Sequence, residues 1–265
     1  MIKILKNYKR ELVVVLFLFI LLVVLISPVF IFTIKNFFII GFLGLILLFS
    51  WFIAIYFLYA NRKVSRYGEL LIRVRLVEKL FNFFVLPTLF YIFVICAIFF
   101  ITSVYLNLFI IASFSIILFV LLVHIRSSYQ KVFYLSSLTK VVYDAVLIMI
   151  FFLGVFVANS LGLSNLNLIL LSVILSLFLL GYKLIIEGQI NWSGFGLLLT
   201  STLLISLVTF FTREFNLFVV TAVNTLIFYL IVAMWSIRLR GYTEWKDYSN
   251  PMLYTLMGLI LIFSL

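Results

Sequence analysis

Charge is scarce in this chain of 265 residues: Lys, Arg, Asp and Glu together make up 10 %, while apolar residues make up 67 % and mean hydropathy is +1.38. Soluble domains carry about a quarter charged residues, so this composition excludes one and defines an integral membrane protein. Acidic residues are the scarcer class, 8 against 19 basic, for a net charge of +11. In a soluble chain that imbalance would point to nucleic acid. Here the basic residues sit at the ends of apolar runs and in short loops, where they set topology and meet lipid head groups, so no nucleic-acid partner is expected.

Histidine and cysteine occur once each, as His124 and Cys96. One of each excludes a disulfide framework within the chain, a thiolate metal site, a multi-histidine zinc or di-iron site and a paired haem ligation. There is no pair of closely spaced aspartates for the Mg²⁺ of a diphosphate substrate, no Walker loop and no GxSxG elbow. No cofactor or metal is expected, and the reading leans away from an enzyme.

What the chain has is apolar length. A span needs about 20 apolar residues to cross roughly 30 Å of hydrocarbon. Polar interruptions leave runs near 12–34, 37–60, 81–103, 108–125, 141–160, 167–186, 195–211, 217–237 and 251–265. They are continuous, without the period-two alternation of barrel strands. The expectation is all-α: a polytopic transmembrane helical bundle of about nine spans, four helical hairpins plus a short ninth segment, forming one integral membrane domain over 1–265. The first run follows Lys3, Lys6, Lys9 and Arg10 as a signal peptide would, but it is too long for an h-region and lacks a small-residue cleavage site, so it is expected to stay in the chain. The last run would reach only about 22 Å as a helix. Either it starts earlier, from Tyr248, or it is re-entrant, or the reading frame is cut short.

Orientation follows from the longest polar stretch, NRKVSRYGELLIRVRLVEK at 61–79, with Arg62, Lys63, Arg66, Arg73, Arg75 and Lys79. So basic a loop stays in the cytoplasm. With the N-terminus also inside, every basic residue of the 19 falls at a cytoplasmic end except Lys35 and Arg213. The C-terminus is then outside, and the membrane is read as a prokaryotic cytoplasmic membrane. Trp51, Trp192, Trp235 and Trp245 fall toward the same interface, and the sequon at Asn191-Trp192-Ser193 is expected to carry no glycan because it faces the cytoplasm. Within the basic stretch Tyr67, Leu70, Leu71, Val74, Val77 and Phe81 recur at helical spacing beside Arg66, Glu69 and Arg73. This predicts an amphipathic cytoplasmic interfacial helix between spans two and three. Its polar face serves either as a snorkelling connector or as a dock for a partner or an anionic head group.

Each outer turn carries an asparagine ahead of a returning run, Asn36, Asn107, Asn167 and Asn216. Capping of the next helix is the expected role.

Ionisable groups inside a bilayer are the first candidates for function, because burying them is costly. His124, Arg126, Lys140, Asp144, Lys183 and Glu187 cluster by topology at the cytoplasmic ends of spans four to six. They are read as a polar pocket, with Asp144 as proton acceptor or cation site; the bland alternative is that each is satisfied at the interface. Spans seven and eight carry Thr200, Ser201, Thr202, Ser206, Thr209, Thr221, Asn224 and Thr225, either helix glue or a hydrophilic path. Gly41-Phe-Leu-Gly44 is a small-residue contact. The loop RLRGYTEWKDYSN at 238–250 is a second candidate. Its Arg238, Arg240 and Trp245, with Arg66, Arg73 and Arg75 of the earlier stretch, are candidate head-group contacts, since arginine offers forked donors to phosphate oxygens.

The functional expectation is a carrier or membrane component handling a small or lipid-like substrate. The alternative is a non-catalytic subunit or scaffold with a membrane-protein partner, and a lipid-modifying transferase is third. Anionic lipid head groups at the cytoplasmic face are the expected partners.

Overall fold

The computed structural model describes residues 8–26, 34–60, 69–130, 137–188, 191–239, 241 and 244–264, with the side chains of 34–36, 56, 59–60, 69–82, 128–130 and 137–139 outside that description. Nine helices follow in order: α1 (Lys9–Ile26), α2 (Ile34–Ala60), α3 (Glu69–Phe100), α4 (Val104–Gln130), α5 (Ser137–Ser160), α6 (Asn165–Glu187), α7 (Trp192–Thr212), α8 (Leu217–Leu239) and α9 (Trp245–Ser264). No strand occurs among the described residues. The seven helices α2 to α8 each contain a segment long and apolar enough to cross a bilayer. The fold is the helical transmembrane bundle that the apolar runs predict, because only a helix satisfies its own backbone in hydrocarbon.

Each apolar run overlaps one helix, and the differences lie at the polar ends. α3 takes in the second half of the basic stretch: it is helical from Glu69 and continues without a break to Phe100, about 48 Å at 1.5 Å per residue. The amphipathic segment is therefore the leading part of the third span's own helix, and its side chains through Asn82 lie outside the described set. Pro87 sits inside α3, where the missing N–H releases one carbonyl; Thr88 donates its hydroxyl to the neighbouring Phe84 carbonyl at 2.7 Å. α9 starts at Trp245, so its 20 residues reach about 30 Å, but the six residues gained, Trp245 to Asn250, are mostly polar and α9 is not among the seven helices apolar enough to span.

The chain divides into two compact units, Met1–Val146 and Leu147–Leu265, with α5 passing through the boundary. In the first unit α1 packs on α2 and α4, and α3 packs on α2 and α4, so the four helices close a ring. Leu18 and Leu22 of α1 and Leu118, Leu121 and Ile125 of α4 are completely buried in it. Hydrocarbon solvates leucine as well as protein does, so close packing rather than water exclusion holds such helices together. Gly44 shows how: a Cβ there would collide with the ring and hydroxyl of Tyr91 on α3. The bare backbone lets Tyr91 lie against α2 and donate to the Ile40 carbonyl at 3.1 Å. The small-residue contact predicted at Gly41 and Gly44 is thus the α2–α3 contact.

In the second unit α8 is the axis, packing on α6, α7 and α9. The end of α5 reaches it through Phe151 stacked on Phe228, ring centroids 4.1 Å apart. A polar seam runs between these helices. Asn224 accepts from the Thr209 hydroxyl at 2.7 Å and donates to Thr212 at 3.3 Å and to the Val220 carbonyl at 2.9 Å. Ser172 of α6 lies 3.2 Å from the Thr209 hydroxyl, and Asn159 of α5 donates to Thr221 at 3.3 Å. The seam joins four helices, as expected of side chains that fasten helices in lipid. Thr202 is different: its hydroxyl returns to the Leu198 and Leu199 carbonyls of its own helix.

Candidate functional site

Three places gather polar side chains, and each has a distinct local cause. The first is in the Met1–Val146 unit. Glu11 stands in the first turn of α1, and its carboxylate is fully buried against α4, where Arg126 Nη1 donates to both oxygens at 2.9 and 3.1 Å. The same guanidinium lies over the Tyr8 ring, 5.4 Å from its centroid. The pair fastens the start of α1 to the end of α4. Burial without a partner would be prohibitive for either group. Of the residues read as one pocket, His124 is half-buried two residues before Arg126, while Lys140 and Asp144 occupy successive turns of α5. These four belong to the first unit.

Lys183 and Glu187 belong to the second. Lys183, 2 % exposed, donates from Nζ to the Ser236 hydroxyl of α8 at 2.7 Å, and that hydroxyl in turn donates to the Val232 carbonyl at 2.9 Å. Glu187 is half-buried one turn further along α6, just before Gly188 ends the helix with φ 70°.

The third place is a cleft of about 410 Å³ between α7, α8 and α9. Small-ligand sites run from about 300 to 1,000 Å³, mostly apolar with a few placed polar groups. α7 contributes Leu197 and Ser201, and α8 contributes Ile231, Trp235 and Arg238. Trp245, Tyr248 and Met252 of α9 complete the lining. α7 and α9 begin, and α8 ends, at one end of the unit, so Arg238 and Trp245 stand at the mouth. Seven residues separate Arg238 from Ile231 and Trp245 from Met252, about 10 Å of helix in each case. Ser201 lies deep on the α7 side, 8 % exposed. Among the described residues the side chains of Ser201, Arg238 and Trp245 make no hydrogen bond or ion pair. The cleft is thus an apolar trough with uncommitted donors at its mouth and a hydroxyl at depth.

A second groove, about 660 Å³, lies between α6 and α7 near Asn165 and Phe210. Its arginine is engaged: Arg213 covers the Phe210 ring at 4.3 Å and lies 3.7 Å from Glu214.

Of the head-group candidates, Arg238 and Trp245 line the cleft. Arg66 and Arg240, and the side chains of Arg73 and Arg75, fall outside the described residues. Trp192 and Trp245 are exposed, whereas Trp51 and Trp235 are buried inside the bundle. The asparagines differ from expectation too. The side chain of Asn36 lies outside the described residues, and of the other three only Asn216 caps the following helix as predicted, accepting from Phe218 N–H at 3.2 Å. Asn107 reaches back to the Ile101 carbonyl at 2.9 Å, and Asn167 is exposed inside α6. Asn191, read only as a sequon, caps α7 by accepting from Gly194 N–H at 2.8 Å.

Glu11 went unread among the site residues because its partner is 115 positions away; the signal was an acid directly after two basic residues at the head of a span. Ser201 and Arg238 were each noted apart, but nothing in the sequence states the α7–α8 register that joins them. No family model, curated protein or solved structure matches the chain.

Proposed function

We propose that this integral membrane protein is a carrier or membrane component that takes up a lipid-like amphiphile in the cleft of α7, α8 and α9. The observation that carries the reading is the order of chemistry along that cleft: free cationic and indole donors at the mouth, methionine and isoleucine below them. An amphiphile has the same order from head to tail. The polar seam of α5 to α8 supports the choice of cleft over seam, since its groups already serve one another and act as fastening. We place the cleft mouth, with the N-terminus, on the cytoplasmic side of the membrane and the C-terminus outside, on the distribution of basic residues.

Purification in mild detergent followed by native mass spectrometry tests the reading. A lipid-sized adduct on the lone protein is expected. A stoichiometric protein partner with no adduct would instead make this a scaffold subunit.

A further inference from the structure

We infer that the cleft is selective for phospholipids, holding an anionic phosphate at Arg238 and Trp245 and a glycerol-ester carbonyl at Ser201. This rests on the reading that an amphiphile occupies the cleft, and it adds the head-group class.

Arginine and the indole N–H can only donate hydrogen bonds. A ligand seated at the mouth must therefore bring acceptors, and beside a guanidinium without a carboxylate partner an anion is preferred. Phosphate fits the forked donors of arginine better than it fits a point charge. Glu244 and Asp247 are near in sequence but stand outside the cleft lining, as does Glu187. Helix dipoles do not decide the matter, because α9 begins and α8 ends at the mouth and their partial charges oppose.

The depth of Ser201 narrows the class further. A hydroxyl on an apolar helix wall normally bonds back to its own helix, as those of Thr202 and Ser115 do. Ser201 does not, and it lines the cleft. Its hydroxyl is open to the cleft rather than sealed in the wall, so a ligand acceptor at that depth, nine residues into α7, would meet it. Phospholipids carry such acceptors in the ester carbonyls that lie between phosphate and chains. A free fatty acid, whose carboxylate is its last polar group, has none at that depth. The engaged Arg213 in the α6–α7 groove offers no equivalent arrangement.

The test uses the full-length protein in detergent with two probes matched in acyl chains, phosphatidylglycerol and diacylglycerol, and reads the bound fraction by native mass spectrometry. Phosphatidylglycerol is expected to bind at least about tenfold more tightly than diacylglycerol, with that preference lost in Arg238→Ala and only partly kept in Arg238→Lys. Ser201→Ala is expected to weaken binding about threefold to tenfold without altering thermal stability. Equal binding of both probes, unchanged in Arg238→Ala, would overturn the phosphate assignment while leaving an amphiphile in the cleft. Displacement of the lipid by millimolar glycerol phosphate alone would overturn the lipid assignment in favour of a soluble phosphate ester. Absence of any lipid adduct would remove the underlying reading as well.

Discussion

Arg126 and Glu11 join helices whose sequences lie 115 residues apart, the guanidinium donating to both carboxylate oxygens at 2.9 and 3.1 Å. Glu11 is completely buried and Arg126 is 19 % exposed. Breaking a buried pair from one side costs about 3–5 kcal/mol, and the residual exposure of Arg126 puts this case at the low end. Glu11→Ala should therefore lower the detergent unfolding midpoint strongly. The double variant Glu11→Leu with Arg126→Met should recover much of the loss, because apolar neighbours of similar volume need no desolvation. If the double variant is as unstable as the sum of the two single ones, the pair is not a coupled unit.

Gly44 faces a different constraint. A methyl group there meets the Tyr91 ring and hydroxyl, both within the α2–α3 contact. Overpacking of this kind costs about 1–3 kcal/mol. Gly44→Ala is expected to destabilise by that amount, and adding Tyr91→Phe should relieve part of it by removing the nearest atom. An additive pair of effects would mean that the two residues do not touch.

Two polar residues of the second unit should respond in opposite ways. Asn224 is completely buried and bonded to two side chains and one backbone carbonyl, so Asn224→Ala should cost about 1–2 kcal/mol on the scale of hydrogen bonds between membrane helices. Ser201 has no partner to lose, and Ser201→Ala should stay within about 0.5 kcal/mol. Cysteines introduced at the two positions sharpen the contrast. Position 201 should react with a small thiol reagent from the cleft, whereas position 224 should be protected. Labelling at 224 would revive the hydrophilic-path reading of α7 and α8.

These residues also show how far the sequence reaches. Apolar length names the helices, because hydrocarbon leaves the backbone no other way to satisfy itself. It does not name their polar ends: Trp245 to Asn250 are helical although a hydropathy run begins only at Pro251. Capping is harder still, since one position decides it. Asn107 and Asn167 resemble Asn216 in context, yet only Asn216 caps the helix that follows. Partners across the bundle depend on register, so Arg126 could be picked out as a buried charge without Glu11 being found. Arg238 and Trp245 could be picked out as head-group contacts without Ser201.

Topology offers the last test, and α1 is where it turns. α1 is not among the seven helices that meet the length and hydropathy needed to span, because its 18 residues open on Lys9, Arg10 and Glu11. Its described apolar part, Leu12 to Ile26, covers about 22 Å of a roughly 30 Å core, and the apolar run continues in the sequence to Ile34, past the described residues. The buried pair with Arg126 nevertheless draws those first residues into the end of α4, and that end belongs to the basic, cytoplasmic side of our proposed orientation. Reporter fusions after Tyr8, Gly188 and Gly241 are then expected on one face, and fusions after Ser103 and Glu214 on the other. If the Tyr8 fusion alone changes face, α1 does not cross and the remaining spans keep their order. If Gly188 and Gly241 report outside, the basic residues do not set the orientation, and the cleft opens toward the other leaflet.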